Sequence, residues 1–170
     1  SAPGKAVKEA YDSAGVVAND RGITVWLKGN RVSRNQIMAI KEESVTDQKN
    51  SLTVCLDNIL RHAGITRNTE YDLAQGKTAI QILEENMTGV QVLDLSGCSL
   101  DAVLYYVNQD IPVLAILEDG EAVLVTGFNE FNVVIMEPST GKLYKKGMND
   151  ATTWFAENGN HFISYMKIDN

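Results

Sequence analysis

The chain has few of the residues that usually carry metal-binding or nucleophilic chemistry. Its 170 residues include two cysteines, Cys55 and Cys98, and two histidines, His62 and His161. Two cysteines are too few for a disulfide framework, and they leave open two buried thiols, one disulfide, or a nucleophile with a bystander. The sequence has no CxxC or HxxxH spacing, and its histidines are far apart. We therefore predict no metal site and no cofactor.

Long apolar runs and basic clusters are also missing. No stretch approaches the roughly 20 apolar residues of a membrane helix, and no signal-peptide core is present, so we expect no direct membrane insertion. The formal charge of -7 and the scattered basic residues argue against nucleic acid as a partner. The 44% of apolar residues can form a sizeable core. Because the chain starts at Ser1 rather than at methionine, we expect a piece of a longer protein.

Residues 1–45 differ from the rest and are predicted to form an N-terminal appendage or linking unit. A short helix is expected over residues 5–11. The segment GVVANDRGITVWL then predicts a β-hairpin with its turn at residues 19–22. A second short helix is expected in RNQIMAIKEE.

Residues 46–170 are predicted to form the main domain. SLTVCLDNILRHAG has the spacing of a core helix, with Asn50 or Ser51 as its N-cap and Gly64 at its end. KTAIQILEEN predicts a helix, VQVLDL a strand, SLDAVLYYVNQ a helix capped by Ser99, and IPVLAILE a buried strand. Two strands in EAVLVTGFNEFNVVIMEPSTG, a short strand near KLYKK, a helix in NDATTWFAENG and a closing strand in HFISYMK follow. Helices followed by an antiparallel sheet indicate an α+β fold.

Aromatic residues in two of these helices are interpreted as packing residues. Tyr105 and Tyr106 occupy adjacent helix positions, so one buried ring and one partly exposed ring are expected. Trp154 and Phe155 are expected to be core aromatics of an amphipathic helix rather than a ligand platform.

Four segments occur in an order typical of one known family. The first core helix ends in HAGI, residues 62–65, and SLDAVLYYVNQDIPVLAIL, residues 99–117, is a helix leading to a buried Pro-Val strand. GEAVLVTGFN, residues 120–129, and EPSTG, residues 137–141, follow. Together they resemble a papain-like cysteine peptidase domain of the bacteriocin-leader (double-glycine) type. The resemblance implies a papain-like fold over residues 46–170, with N-terminal helices packed on an antiparallel β-sheet.

The same resemblance implies that the catalytic triad is substituted. Ser51 stands at the position of the family's cysteine nucleophile, Glu121 at that of its histidine and Glu137 at that of its aspartate. Gln48 resembles the oxyanion-stabilising glutamine, although it lies closer to the helix start than the family spacing requires. The domain is thus expected to be catalytically degenerate.

The chemistry of these residue types agrees with that expectation. A cysteine peptidase needs an imidazole of near-neutral pKa to take the thiol proton and a third group to hold the ring. A serine hydroxyl is far less acidic, and a glutamate with a pKa near roughly 4.3 is a weak base at neutral pH. Glu137 would repel an anionic neighbour rather than orient it.

Cys55 is the fallback nucleophile, about one helical turn beyond Ser51. It lies on an apolar stripe, which favours a buried core thiol, and no histidine is placed in sequence to activate it. Cys98 lies at a strand-to-helix turn, where a helix N-terminus could lower its pKa. We interpret Cys98 as a packed loop residue because it also lacks a visible base.

Three functional hypotheses remain open at this stage. The first is a catalytically inactive peptidase-like domain of a larger secreted or envelope bacterial protein, acting as a peptide-binding or structural module. The second is an active cysteine- or serine-type peptidase or transferase with altered catalytic residues, and the third is a structural spacer. The expected partners are an extended peptide or neighbouring domains of the parent protein, in an extracellular or cell-envelope location.

Overall fold

The structure, a computed structural model, describes residues 50–168. The predicted appendage of residues 1–45, the boundary at residue 46 and the candidate Gln48 lie outside the described residues.

The first described helix, α1, spans Ser51–His62. The side chain of Asn50 accepts a hydrogen bond from the backbone N–H of Leu52 at 2.8 Å, so Asn50 rather than Ser51 is the N-cap. Gly64 follows the helix with a φ of +86°, a left-handed conformation that glycine adopts without the penalty of a side chain. Both predicted ends of the helix are confirmed.

Two shorter helices follow, α2 at Glu70–Ala74 and α3 at Ala79–Asn86. Thr78 and Gln81 form a capping box at the start of α3, each side chain bonding the other's backbone N–H. The segment before α2 is tied to α1, because the carboxylate of buried Asp57 accepts from both the N–H and the hydroxyl of Thr69, each at 2.9 Å. The helix α2 is not among the predicted elements.

The remaining elements match the predicted order. They are β1 Val90–Asp94, α4 Leu100–Asn108, β2 Val113–Ile116, β3 Ala122–Phe128, β4 Asn132–Glu137, β5 Lys142–Gly147, α5 Met148–Glu157 and β6 His161–Lys167. Ser99 caps α4 by accepting from the N–H of Ala102 at 3.3 Å, as predicted.

The six strands form one antiparallel sheet in the order β1-β6-β2-β3-β4-β5. The predicted α+β class is therefore confirmed, with β1 preceding α4 as predicted. A β-bulge interrupts the pairing of β3 with β4 between Val125 and Gly127.

The core includes one continuous apolar cluster between the helices and the sheet. All seven residues of β3 are buried, so both faces of this central strand are covered. The rings of Phe155 in α5 and Phe162 in β6 meet edge to face with centroids 5.3 Å apart. Tyr105 and Tyr106 are both buried, at 3% and 0% exposure. The expectation of one partly exposed ring was wrong, because α4 packs against strands and against α5 on different sides.

Candidate functional site

Ser51 lies where the start of α1 meets the start of β3. Its hydroxyl oxygen accepts a hydrogen bond from the backbone N–H of Ala122 at 2.8 Å. Ala122 is the first residue of β3 and directly follows Glu121. The structure therefore brings the positions 51 and 121 together, although they are separated by 70 residues in sequence.

Glu121 is exposed and forms part of the turn between β2 and β3. Its N–H donates to the carboxylate of Asp119 at 2.9 Å, and its carbonyl accepts from the N–H of Leu117 at 2.8 Å. Within residues 50–168, the Glu121 carboxylate has no hydrogen-bond or ion-pair partner. Its backbone is thus fixed while its side chain faces solvent.

Glu137 ends β4, and its carboxylate is occupied by the following turn. It accepts from the N–H groups of Ser139 and Thr140, each at 3.2 Å, and from both hydroxyls. Partial burial raises the pKa of Glu137, but these hydrogen bonds outweigh burial and hold the pKa below its ordinary value. Glu137 therefore stays ionised at neutral pH and organises its own turn.

Cys55 lies one helical turn beyond Ser51 and is completely buried. Burial, and secondly the negative charge of Glu137, raise the pKa of the Cys55 thiol well above its ordinary value. A protonated thiol without access to solvent is a poor nucleophile. The environment is that of a core residue.

Cys98 precedes α4 and is also buried, at 6% exposure. Burial, assisted by the charge of Asp94, raises the pKa of the Cys98 thiol to about 11. Both cysteines are free thiols, so the disulfide alternative does not apply to this structure.

The two histidines lie away from Ser51. His62 ends α1, roughly 16 Å from Ser51 along the helix axis, and its Nε2 lies 3.0 Å from the carbonyl oxygen of Asp110. His161 pairs with Ile116, which pairs in turn with Ala122, so His161 and Ala122 are two strand spacings apart, roughly 10 Å. Neither imidazole is placed to accept a proton from Ser51.

A groove of about 600 Å³ lies at the end of α1 opposite Ser51. Its lining includes His62, Met87, Asp110, Tyr165 and Lys167. The lining of this groove does not include Ser51, Ala122 or Glu137.

The hydrogen bond from the backbone N–H of Ala122 to Ser51 is not among the contacts predicted from sequence. An alanine carries no signal for such a role, because its main-chain donor is independent of residue type. The one available signal is the predicted start of a strand after Glu121, because the first residue of a strand can direct its N–H to a group outside the sheet.

The described residues contain neither a metal-binding cluster nor a membrane-spanning helix. Within residues 50–168, no group of three or more His, Cys, Asp and Glu side chains is arranged to hold a metal ion. No helix in this part of the chain combines the length and the apolar character needed to cross a membrane.

Comparison with known proteins identifies a structural neighbour. The chain matches a solved structure assigned as a C39-like peptidase from Bacillus anthracis, with a TM-score of 0.63 and a probability of 1.00. The two share 14% sequence identity over 79% of this chain and 98% of the other. No protein-family model matches the sequence. No curated protein matches it significantly either.

At this level of identity the neighbour establishes the fold and not the activity. The helices packed on an antiparallel sheet, with the start of α1 against the start of β3, agree with it. The chain has the papain-like fold of a C39-like peptidase domain.

Proposed function

We propose that this domain is a peptidase-like module without peptidase activity, which binds an extended peptide beside the start of α1. The observation that carries the proposal is the contact between the Ser51 hydroxyl and the Ala122 N–H at 2.8 Å. It puts a serine at the junction of helix and strand where the resemblance expects an activated cysteine.

The groups around Ser51 support loss of catalysis. A serine nucleophile requires a base within hydrogen-bond reach, and the nearby side-chain candidates are carboxylates. Glu137 has a lowered pKa and is already bonded to its turn, so it is a weaker base than an ordinary glutamate. The fallback nucleophile Cys55 is buried and protonated.

Binding a peptide at the Ser51 position requires fewer chemical groups than catalysis does. An extended peptide needs hydrogen-bond partners and a cleft, but no proton transfer. Glu121 directly precedes Ala122, whose N–H bonds to the partly exposed Ser51. The Glu121 carboxylate, which has no partner within residues 50–168, and the Ser51 hydroxyl could therefore contact such a peptide. The proposal assigns them binding and structural roles.

Electrophilic labelling tests the loss of catalysis. The chain is treated with a fluorophosphonate probe for activated serines and with iodoacetamide for activated thiols, and the labelled residues are located by mass spectrometry. We expect no labelling of Ser51 and no labelling of Cys55 in the folded protein. Labelling of Ser51 that disappears in Glu121→Gln would overturn the proposal in favour of an altered hydrolase.

Peptide selection tests the binding role. A random peptide library is screened against the chain, and the recovered peptides are measured against Ser51→Trp, which fills the space beside β3. The matched control is Ser96→Trp, at a partly exposed serine in the turn after β1. Binding that Ser51→Trp abolishes and Ser96→Trp retains supports the proposal. Equal binding by both variants would place the peptide elsewhere.

We also propose that the module belongs to a larger secreted or envelope bacterial protein. The acidic composition and the resemblance to peptidase-like domains of such proteins support this location. Detection of the protein with an antibody in separated cytoplasmic, envelope and medium fractions tests it. Recovery from the cytoplasm alone would contradict it.

A further inference from the structure

The edge strand β5 carries a charge opposite to that of the domain. Residues 50–168 contain seven lysines and arginines against fifteen aspartates and glutamates. Three of the seven cations, Lys142, Lys145 and Lys146, lie within the six residues of β5. Within the described part of the chain none of the three forms an ion pair, although acidic side chains are twice as numerous.

Within residues 50–168, the backbone of β5 also has hydrogen-bonding groups without a partner. The N–H of Met148 donates to the carbonyl of Phe131 at 2.8 Å, which continues the pairing of β4 with β5 by one residue. Because hydrogen-bonded positions alternate along an antiparallel pair, Lys142, Tyr144 and Lys146 direct their main-chain groups towards β4. The main-chain groups of Leu143, Lys145 and Gly147 then point outward, and β5 is the last strand of the described sheet.

Exposed aromatic side chains lie along the same strand. Tyr144 is 38% exposed, and Phe131, beside the last pair of the β4–β5 ladder, is 71% exposed. Lys146 lies over the ring of Trp154 with its Nζ 4.8 Å from the ring centroid, which holds one cation at the margin of the strand. The strand thus combines cations, aromatic surface and open main-chain groups.

We propose that β5 is a docking edge for an extended acidic peptide segment, which adds to the sheet as a seventh strand. Its main-chain groups bond to Leu143, Lys145 and Gly147, while acidic side chains on its two faces meet Lys142 and Lys146 on one side of the sheet and Lys145 on the other. The proposed docking does not use the Ser51–Ala122 contact, although Lys142 at one end of β5 pairs with Glu137 of β4.

Lysines on an edge strand also have a protective role, since they prevent pairing between identical edges. That role explains why two copies of this chain would not join through β5, where lysine would face lysine. It does not explain the exposed Phe131 and Tyr144, which increase the tendency of an edge to associate. An acidic partner accounts for both the lysines of β5 and the exposed aromatic side chains beside them.

The probe for this proposal is a fluorescein-labelled peptide of repeating Glu-Glu-Val, which as a strand carries glutamates on both faces, with a Lys-Lys-Val peptide of equal length as its control. Binding is measured by fluorescence anisotropy with the full chain. We expect the acidic peptide to bind and the basic one not to bind. We expect Lys145→Glu to weaken binding by about tenfold, because one attraction is replaced by a repulsion. Lys167→Glu, on the interior strand β6, is the charge-matched control and should leave binding unchanged.

A second pair of variants separates strand addition from simple charge attraction. Lys145→Gln removes the charge and keeps the outward N–H, whereas Lys145→Pro removes both. Strand addition requires Lys145→Pro to bind the acidic peptide several-fold more weakly than Lys145→Gln, with the two circular dichroism spectra unchanged. Equal loss in the two variants, or equal effects of Lys145→Glu and Lys167→Glu, would overturn the proposal. The proposal would also be overturned if the sedimentation coefficient of the chain increased because a second copy occupied β5.

Discussion

The hydroxyl of Ser51 and the backbone N–H of Ala122 form a 2.8 Å hydrogen bond that joins the first core helix to the central strand. This contact fixes the start of α1 against the end of the sheet at which Glu121 precedes β3. In an active peptidase of this fold, a thiol and an imidazole would be expected to share that junction. Here a main-chain N–H donates to the hydroxyl of Ser51 instead. Ser51 therefore makes a structural contact, and its position is also the candidate binding position.

Replacement of Ser51 by alanine should lower the stability of the domain. The substitution leaves the Ala122 N–H without its partner, and the loss of one such partly buried hydrogen bond should reduce the free energy of unfolding by about 1 kcal/mol. Urea unfolding followed by circular dichroism measures the change. Ser96→Ala, which removes a partly exposed hydroxyl bonded to Asp94 within its own turn, should change it by less than about 0.5 kcal/mol. Equal effects of the two substitutions would mean that the Ser51 contact is not maintained in solution.

The contribution of Glu137 should depend on pH. Its pKa is lower in the folded chain than its ordinary value of 4.5, so its stabilisation is present above about pH 4.5 and is lost as pH falls through the folded pKa. Glu137→Gln should therefore lower the free energy of unfolding at pH 7 by about 0.5–1 kcal/mol, allowing for solvent screening. The deficit should shrink as the wild-type carboxylate becomes protonated.

Unfolding measured from pH 3 to pH 7 for the wild type, Glu137→Gln and Glu121→Gln tests this dependence. Glu121→Gln is the control because the Glu121 carboxylate has no partner within the described residues. A deficit of Glu137→Gln that is independent of pH would rule out the carboxylate hydrogen bonds as its cause.

The two thiols should be unreactive until the protein unfolds. Cys98 has a folded pKa of about 11 against an ordinary value of 9.0. Below about pH 9 the thiol is protonated in both states; between about pH 9 and 11 only the unfolded chain releases the proton. The stabilisation from Cys98 is therefore fully present below about pH 9 and is lost as pH rises through about 11.

Iodoacetamide labelling with and without urea tests the state of the thiols. At neutral pH we expect no labelling of Cys55 or Cys98 in the native chain and labelling of both in urea. Rapid native labelling of Cys55 would show that the start of α1 opens, which would reinstate Cys55 as a candidate nucleophile.

Local sequence signals predicted most of the fold because each depends on neighbouring residues. Asn50 and Gly64 have the chemistry that begins and ends a helix, and both act as predicted. The error at Tyr105 and Tyr106 has a long-range cause, since the burial of adjacent helix positions depends on which elements cover α4. The short helix α2 escaped prediction because its support comes from the distant Asp57, through Thr69.

The candidate site was less predictable for a related reason. Residue types at positions 51, 121 and 137 could be aligned with a triad, but their partners could not be read from the sequence. The Ala122 N–H is a main-chain group, and the turn that occupies Glu137 depends on how Ser139 and Thr140 fold back towards it. The catalytic role of these positions therefore stays a prediction.

Rebuilding the triad should restore an activated thiol if Ser51, Glu121 and Glu137 occupy the positions that the fold resemblance assigns. In the variant carrying Ser51→Cys, Glu121→His and Glu137→Asp, an imidazole beside a cysteine at the helix N-terminus should lower the pKa of the new thiol. We expect its alkylation by iodoacetamide at pH 7 to be about tenfold faster than in Ser51→Cys alone, where only the helix start acts on the thiol. The pH dependence of alkylation, with Cys55 and Cys98 as internal references in both proteins, measures the thiol pKa. Equal rates and equal pH profiles in the single and triple variants would mean that position 121 does not face position 51, and the assignment of Glu121 to the histidine position would then be wrong.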